Sequence, residues 1–163
     1  MLPLLAQSAD HVLAADQDLG PLRKVTALLP LPGAVETLDL SERAVRELPA
    51  DSCDIITALD VLEHVTDLED TLDSLFRLLR PGGVLLVSGP TENMLYRIGR
   101  QLAGAEYTGA YHVRNIESIR KALTRHGSVR RLGTVMPLLP LFRLYLVTKP
   151  SLDSRCESGS ASR

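Results

Sequence analysis

An α/β fold built on a mostly parallel sheet follows from three features of this 163-residue chain. Ile55, Ile56, Ala58 and Leu59 form one short apolar run, and Val84, Leu85, Leu86 and Val87 form another, as strands covered on both faces require. Between them Leu68, Leu72, Leu75, Phe76 and Leu79 make a stripe with helical spacing. Pro81-Gly82-Gly83 follows that stripe and is expected to stop the helix, while Thr66 with Glu69 three residues on reads as a capping box at its start. Strand, acidic loop, helix, turn and strand make one βαβ unit over residues 54–90. Its polar residues, Asp60, Glu63 and His64, collect at the carboxyl end of the first strand, where open α/β sheets bind ligands.

The remaining elements follow in chain order. Residues 2–8 read as helix, 11–16 as strand, and 19–29 as helix with Pro21 in its first turn. Pro30 to Gly33 breaks the chain before a strand at 34–40, and a loop or short helix runs on to Pro49. Residues 91–103 read as helix, with Leu95, Ile98 and Leu102 on one side and Arg97 and Arg100 on another, and 104–111 as loop. Asn115 is placed to cap a helix that turns Ile116, Ile119 and Leu123 inward and ends at Gly127. Strands at 128–135 and 141–148 flank the proline-broken MPLLPL, and the Ser-rich segment from Ser151 reads as a disordered tail. The organisation expected is one domain over 1–150 and a tail over 151–163.

Composition narrows the class. With 45% apolar residues there is material for a core, and no window approaches the ~18 continuous apolar residues of a membrane span. MLPLLA lacks a basic leader, so a cytoplasmic protein is expected. Cys53 and Cys156 match no metal or redox spacing and read as free thiols. Residues 1–90 hold 6 Lys+Arg against 15 Asp+Glu, whereas residues 91–149 hold 10 against 3. The basic half suits an anionic substrate or surface, or is simply a set of solvated helix faces. Aromatic residues, at 4%, are too few for base stacking, so nucleic acid is not an expected partner.

DIITALDVLEHV and LLRPGGVLLVSGP together resemble the class I S-adenosylmethionine-dependent methyltransferases of the small-molecule, type 11-like group. The resemblance extends over roughly 1–150. It implies a Rossmann-like sheet of order 3-2-1-4-5-7-6 that closes with an antiparallel hairpin, and S-adenosylmethionine as cofactor. The first strand of that pattern and its GxGxG loop are missing, since no GxGxG occurs in the chain and LPLLAQSAD is similar to the later part of the first helix. The missing strand is central, and buried unpaired backbone would cost roughly 1–3 kcal/mol per group. The chain is therefore expected to fold poorly, or to pair the strand at 11–16 with the one at 54–59.

The same resemblance assigns candidate residues. Asp16 matches the acid that accepts hydrogen bonds from both ribose hydroxyls, its alternative being a cap for the helix from Leu19; Asp39 matches the acid near the adenine amino group, with Leu40 on the ring. Leu59 and Asp60 fall where the adenosyl and methionine pocket is lined. His64 is the first candidate for general base and His112 the second, a structural hydrogen bond being the alternative for His64. Asp60, Glu63 and His64 match a cluster that ubiquinone-type relatives associate with a divalent cation, but so short a cluster is no complete shell, and no metal is assigned. Tyr96, Arg97, Arg100, Tyr111 and His112 fall where the substrate cap is built, which fits an anionic or apolar small molecule. The activity implied is methyl transfer to an oxygen, nitrogen or carbon. The alternatives are a non-catalytic relative of that fold, which cofactor binding would distinguish, and a nucleotide-dependent oxidoreductase, against which the absence of GxGxxG counts.

Overall fold

The computed structural model describes residues 2–28, 34–40, 42–91, 115–135 and 142–151. They form two compact units, Met1–Leu48 and Pro49–Arg163. The expected helix at 91–103 and loop at 104–111, the residues Tyr96, Arg97, Arg100, Tyr111 and His112, the MPLLPL segment, Cys156 and the tail lie outside the described residues, except for Thr91 and Ser151.

In the first unit α1 (Leu2–Ser8), β1 (His11–Asp16), α2 (Leu19–Leu28), β2 (Ala34–Asp39) and α3 (Glu42–Glu47) follow in order. β1 and β2 are parallel, with His11 opposite Ala34 and Asp16 opposite Asp39. Asp18 starts α2 by accepting the Gly20 N–H at 2.9 Å, as short acidic side chains do at helix starts. Little is buried: Ala6 is 3% exposed, α2 buries no residue, and Leu28 is 80% exposed.

The second unit contains β3 (Cys53–Leu59), α4 (Leu68–Leu78), β4 (Leu79–Pro90), α5 (Ile116–Leu123), β5 (Ser128–Val135) and β6 (Phe142–Thr148). Its sheet has the order β3-β4-β6-β5, parallel between β3 and β4 and antiparallel at the other two pairings. Ala58, Val87 and Tyr145 sit in one row across it, and Leu85 stands opposite Val147. Since alternate residues share a face, these five project together, and Leu68, Leu72 and Phe76 of α4 and Ile116, Ile119 and Leu123 of α5 pack on them. The amphipathic stripes of both helices are thus explained by one core.

Three local expectations change. The cap of α4 is Asp67, whose carboxylate accepts the Asp70 N–H at 3.0 Å, rather than a Thr66–Glu69 box. An aspartate caps at least as well as a threonine, and starting one residue later turns Leu68 and Leu72 into the core. Pro81-Gly82-Gly83 does not end α4, because Leu79 is already extended at φ −67° and ψ 134° and belongs to β4. The Pro-Gly-Gly stretch instead occupies the register shift between the Cys53–Leu79 and Ile55–Val84 pairs, with Gly82 at φ 77°. Nor do the strands at 11–16 and 53–59 pair, for β1 and β3 belong to separate sheets and each ends its sheet. The expected cost of a gap assumed buried backbone. Within β3, Asp54 and Ile55 are exposed, Ile55 at 63%, so the start of that strand is not the buried backbone the expected cost assumed.

Candidate functional site

The carboxyl ends of the parallel strands carry the candidate chemistry in both units. In the first, Asp16 and Asp39 end β1 and β2 side by side, and the Leu40 N–H donates to the Asp16 carbonyl at 3.0 Å. Asp16 Oδ1 accepts the Asp18 N–H at 3.1 Å, while Oδ2 has no partner among the described residues. Helix capping, the alternative role for Asp16, is performed by Asp18. Asp16 therefore keeps an exposed acceptor at a strand end, as a diol requires. Leu40 is 36% exposed beside it, an apolar surface that a flat ring can cover.

In the second unit β3 ends at Leu59, and Asp60 takes the left-handed conformation at φ 54°. Such a φ is uncommon outside glycine and is tolerated best by short polar residues that bond locally. Asp60 does so twice: its N–H donates to the Ser88 carbonyl at 3.3 Å, and its Oδ1 accepts the Ser88 hydroxyl at 2.9 Å. This clamp aims the loop of residues 61–64. Leu62 and Glu63 turn inward, at 0% and 1% exposure, whereas Val61 and His64 face solvent. The His64 N–H closes the turn on the Val61 carbonyl at 3.0 Å. Glu63 and His64 thus diverge, and among the described residues no three His, Cys, Asp or Glu side chains are grouped to hold a metal ion.

A second polar cluster lies at the same edge, where α5 and β6 begin. Glu117 Oε2 accepts from Arg120 Nε at 2.9 Å, and its Oε1 accepts from Arg143 Nη1 and, at 3.3 Å, from the Tyr145 hydroxyl. The Arg120 hydrogen bond, the fields of Arg120 and Arg143 and the Tyr145 hydroxyl hold the Glu117 carboxyl below its ordinary range, against the opposing effect of burial. Glu117 is accordingly a carboxylate at neutral pH. Neither Ser88 nor this cluster was evident from sequence. A hydroxyl ending the run VLLVSGP was the available signal for Ser88, whereas Glu117 and Arg143 are 26 residues apart and belong to no local pattern.

Residues 6–128 match the family model described as a methyltransferase domain. The chain belongs to that family. It is 35% identical over 89 residues to a probable S-adenosylmethionine-dependent methyltransferase of Mycolicibacterium smegmatis, covering 53% of this chain and 32% of that protein. It is 36% identical over 107 residues to a ubiquinone biosynthesis O-methyltransferase of Xylella fastidiosa, covering 63% of this chain and 42% of the relative. The chain thus spans less than half the length of these curated relatives. The fold is similar to that of the N-methyltransferase NodS from Bradyrhizobium japonicum, solved with S-adenosyl-L-homocysteine, with a TM-score of 0.63 at 16% identity over 91% of this chain and 71% of that one. The class I S-adenosylmethionine-dependent methyltransferase family and its Rossmann-like fold, as read from the two motifs, are therefore established, and S-adenosylmethionine is the family's cofactor. No helix among the described residues is long and apolar enough to cross a membrane.

Proposed function

We propose that this chain carries the acceptor-facing and adenosine-facing parts of an enzyme that transfers a methyl group from S-adenosylmethionine to a small molecule. The observation that carries the reading is Asp16, a strand-terminal carboxylate with Oδ2 available and Asp39 and Leu40 beside it. An acceptor-only group suits a ribose diol, and Leu40 offers apolar surface to the base. These residues fit the adenosine half of the cofactor. No GxGxG stretch in the chain supplies backbone amides for the methionine half.

When bound, the sulfonium supplies an activated methyl. What this chain must then do is position an acceptor and, where the acceptor is a hydroxyl, take its proton. His64 is exposed on the loop that the Asp60–Ser88 clamp directs, and it is the base we propose. Similarity to the ubiquinone biosynthesis O-methyltransferase makes an oxygen acceptor the first to test. Leu59 and Asp60, which the family resemblance assigns to the lining of the cofactor pocket, lead into that loop.

The test is calorimetry with S-adenosyl-L-homocysteine. Without a GxGxG loop the 163-residue chain is expected to bind it weakly or not at all; in a longer form that carries that loop, Asp16→Ala is expected to weaken binding by about 1.5–3 kcal/mol, the range for a hydrogen bond to a charged group, with an unchanged circular dichroism spectrum. Undiminished affinity in that variant would remove the ribose role. His64→Ala should lower turnover of a hydroxyl acceptor and leave cofactor affinity intact, and full turnover in it would move the proposed base to His112.

A further inference from the structure

β5 is an outer strand of its sheet, paired among the described residues with β6 alone. Its register shifts between Arg131, opposite Tyr145, and Gly133, opposite Leu144, so Leu132 is the extra residue of a bulge. Four residues of this strand meet water: Arg130, Arg131, Leu132 at 46% exposure and Val135 at 49%. Arg120, Arg125, Arg143 and Lys149 each have a carboxylate partner, whereas Arg130 and Arg131 form no ion pair among the described residues. Arg131 donates instead to the nearby Thr134 hydroxyl at 2.5 Å. β5 and β6 together carry Arg130, Arg131 and Arg143 and no acidic residue. The outer edge is thus positive and, at two places, apolar.

Bulges and charged side chains on an outer strand ordinarily keep other strands from pairing with it. Such protection accounts for the bulge and the arginines, but it gives no reason to expose Leu132 and Val135 beside them. A bulged edge is also a poor template for an added strand, which argues against a peptide as the partner. We propose that the outer edge of β5 rests on an anionic lipid bilayer, with Leu132 and Val135 at the level of the headgroups and Arg130 and Arg131 on lipid phosphates. At roughly 3.3 Å per residue, Arg130 to Val135 spans about 17 Å, so one flat surface touches all four. Successive residues of a strand alternate between faces, and the long stems of Arg130 and Arg131 let both guanidinium groups reach a surface met edge-on. Attachment of this kind combines charge with shallow apolar contact and needs no spanning helix. Nucleic acid would use the arginines and leave Leu132 and Val135 in water.

The experiment is co-sedimentation of the 163-residue chain with vesicles of phosphatidylcholine alone or mixed equally with phosphatidylglycerol. Binding to the mixed vesicles is expected, falling as salt screens the charges, and binding to phosphatidylcholine alone should be weaker by about tenfold or more. Arg130→Gln with Arg131→Gln should weaken it roughly 25-fold, about fivefold for each charge, and Leu132→Ser about fivefold. Arg23→Gln with Lys24→Gln removes the same charge from exposed positions on α2 and should change affinity by less than about twofold. Circular dichroism checks that each variant has folded, and Val135→Ser replaces Leu132→Ser if the latter has not. The proposal is overturned if neither kind of vesicle sediments the chain, or if phosphatidylcholine alone does so as well as the mixture. It is equally overturned if the α2 pair loses as much as the β5 pair, or if the folded serine variant binds as well as the parent. Binding of a single-stranded oligonucleotide without binding of vesicles assigns the edge to nucleic acid and overturns it too.

Discussion

Leu72→Ala is expected to remove about 2–5 kcal/mol of stability, the range for emptying a leucine site in a packed core. Leu72 is 0% exposed in the middle of α4 and belongs to the cluster that joins α4, α5 and three strands, so the space it leaves has packed neighbours all round. Val25→Ala on α2 makes the contrast, since Val25 is 40% exposed and α2 buries no residue. Surface substitutions of that kind stay within about 0.5 kcal/mol. The difference reflects where the apolar burial lies: Ala6 is the one core residue described in the first unit, while the main cluster falls wholly in the second. Urea titration of both variants checks this, with amide exchange of β1 and β2 expected to outpace that of β4 and β6. Equal losses in the two variants would contradict it.

That asymmetry also explains which parts of the fold could be read from the chain. Apolar runs and stripes report burial, so β3, β4, α4 and α5, which supply the core, were placed within a few residues, and Asn115 was found at its cap, accepting the Ser118 N–H at 2.9 Å. β1 and β2 were also placed, although they bury little. Pro81-Gly82-Gly83 is not the helix terminator that the sequence suggests. Proline and glycine mark a break in regular structure without saying which element breaks, and here the irregularity lies inside β4.

The site divides in the same way. Asp16, Asp39 and Asp60 were legible because each stands at the end of an expected strand, and position at a strand end is a local property. What each one does depends on partners distant in sequence. Asp60 is held by Ser88, 28 residues on, and its left-handed φ has no marker in the letters DVLEHV. Glu117 gathers Arg120 from its own helix but Arg143 and Tyr145 from a strand whose register sequence does not give. The excess of basic residues over 91–149 was visible, and Arg120 and Arg143 give part of it a location.

Gly127→Ala should be among the most damaging single substitutions in the chain. A Cβ built on Gly127 would stand 2.2 Å from the Thr148 carbonyl oxygen and 3.0 Å from its carbon, where β6 ends beside the start of β5. Both obstacles are backbone, and Ser128 is already paired with Thr148, so relief requires opening the β5–β6 register. Overpacking ordinarily costs about 1–3 kcal/mol, and an obstacle that cannot rotate away puts this case near 3 kcal/mol or beyond. Sequence had explained Gly127 as a helix end, yet the helix closes at Thr124 in a right-handed conformation, and close approach to Thr148 is what excludes a side chain. Gly89→Ala provides the control. There a Cβ meets Ile116 Cδ1 at 2.9 Å, the tip of a side chain that can change rotamer, and the expected loss is about 1 kcal/mol. Denaturant midpoints of the two variants decide the matter: Gly89→Ala losing as much as Gly127→Ala would show that backbone contact is not what sets the cost.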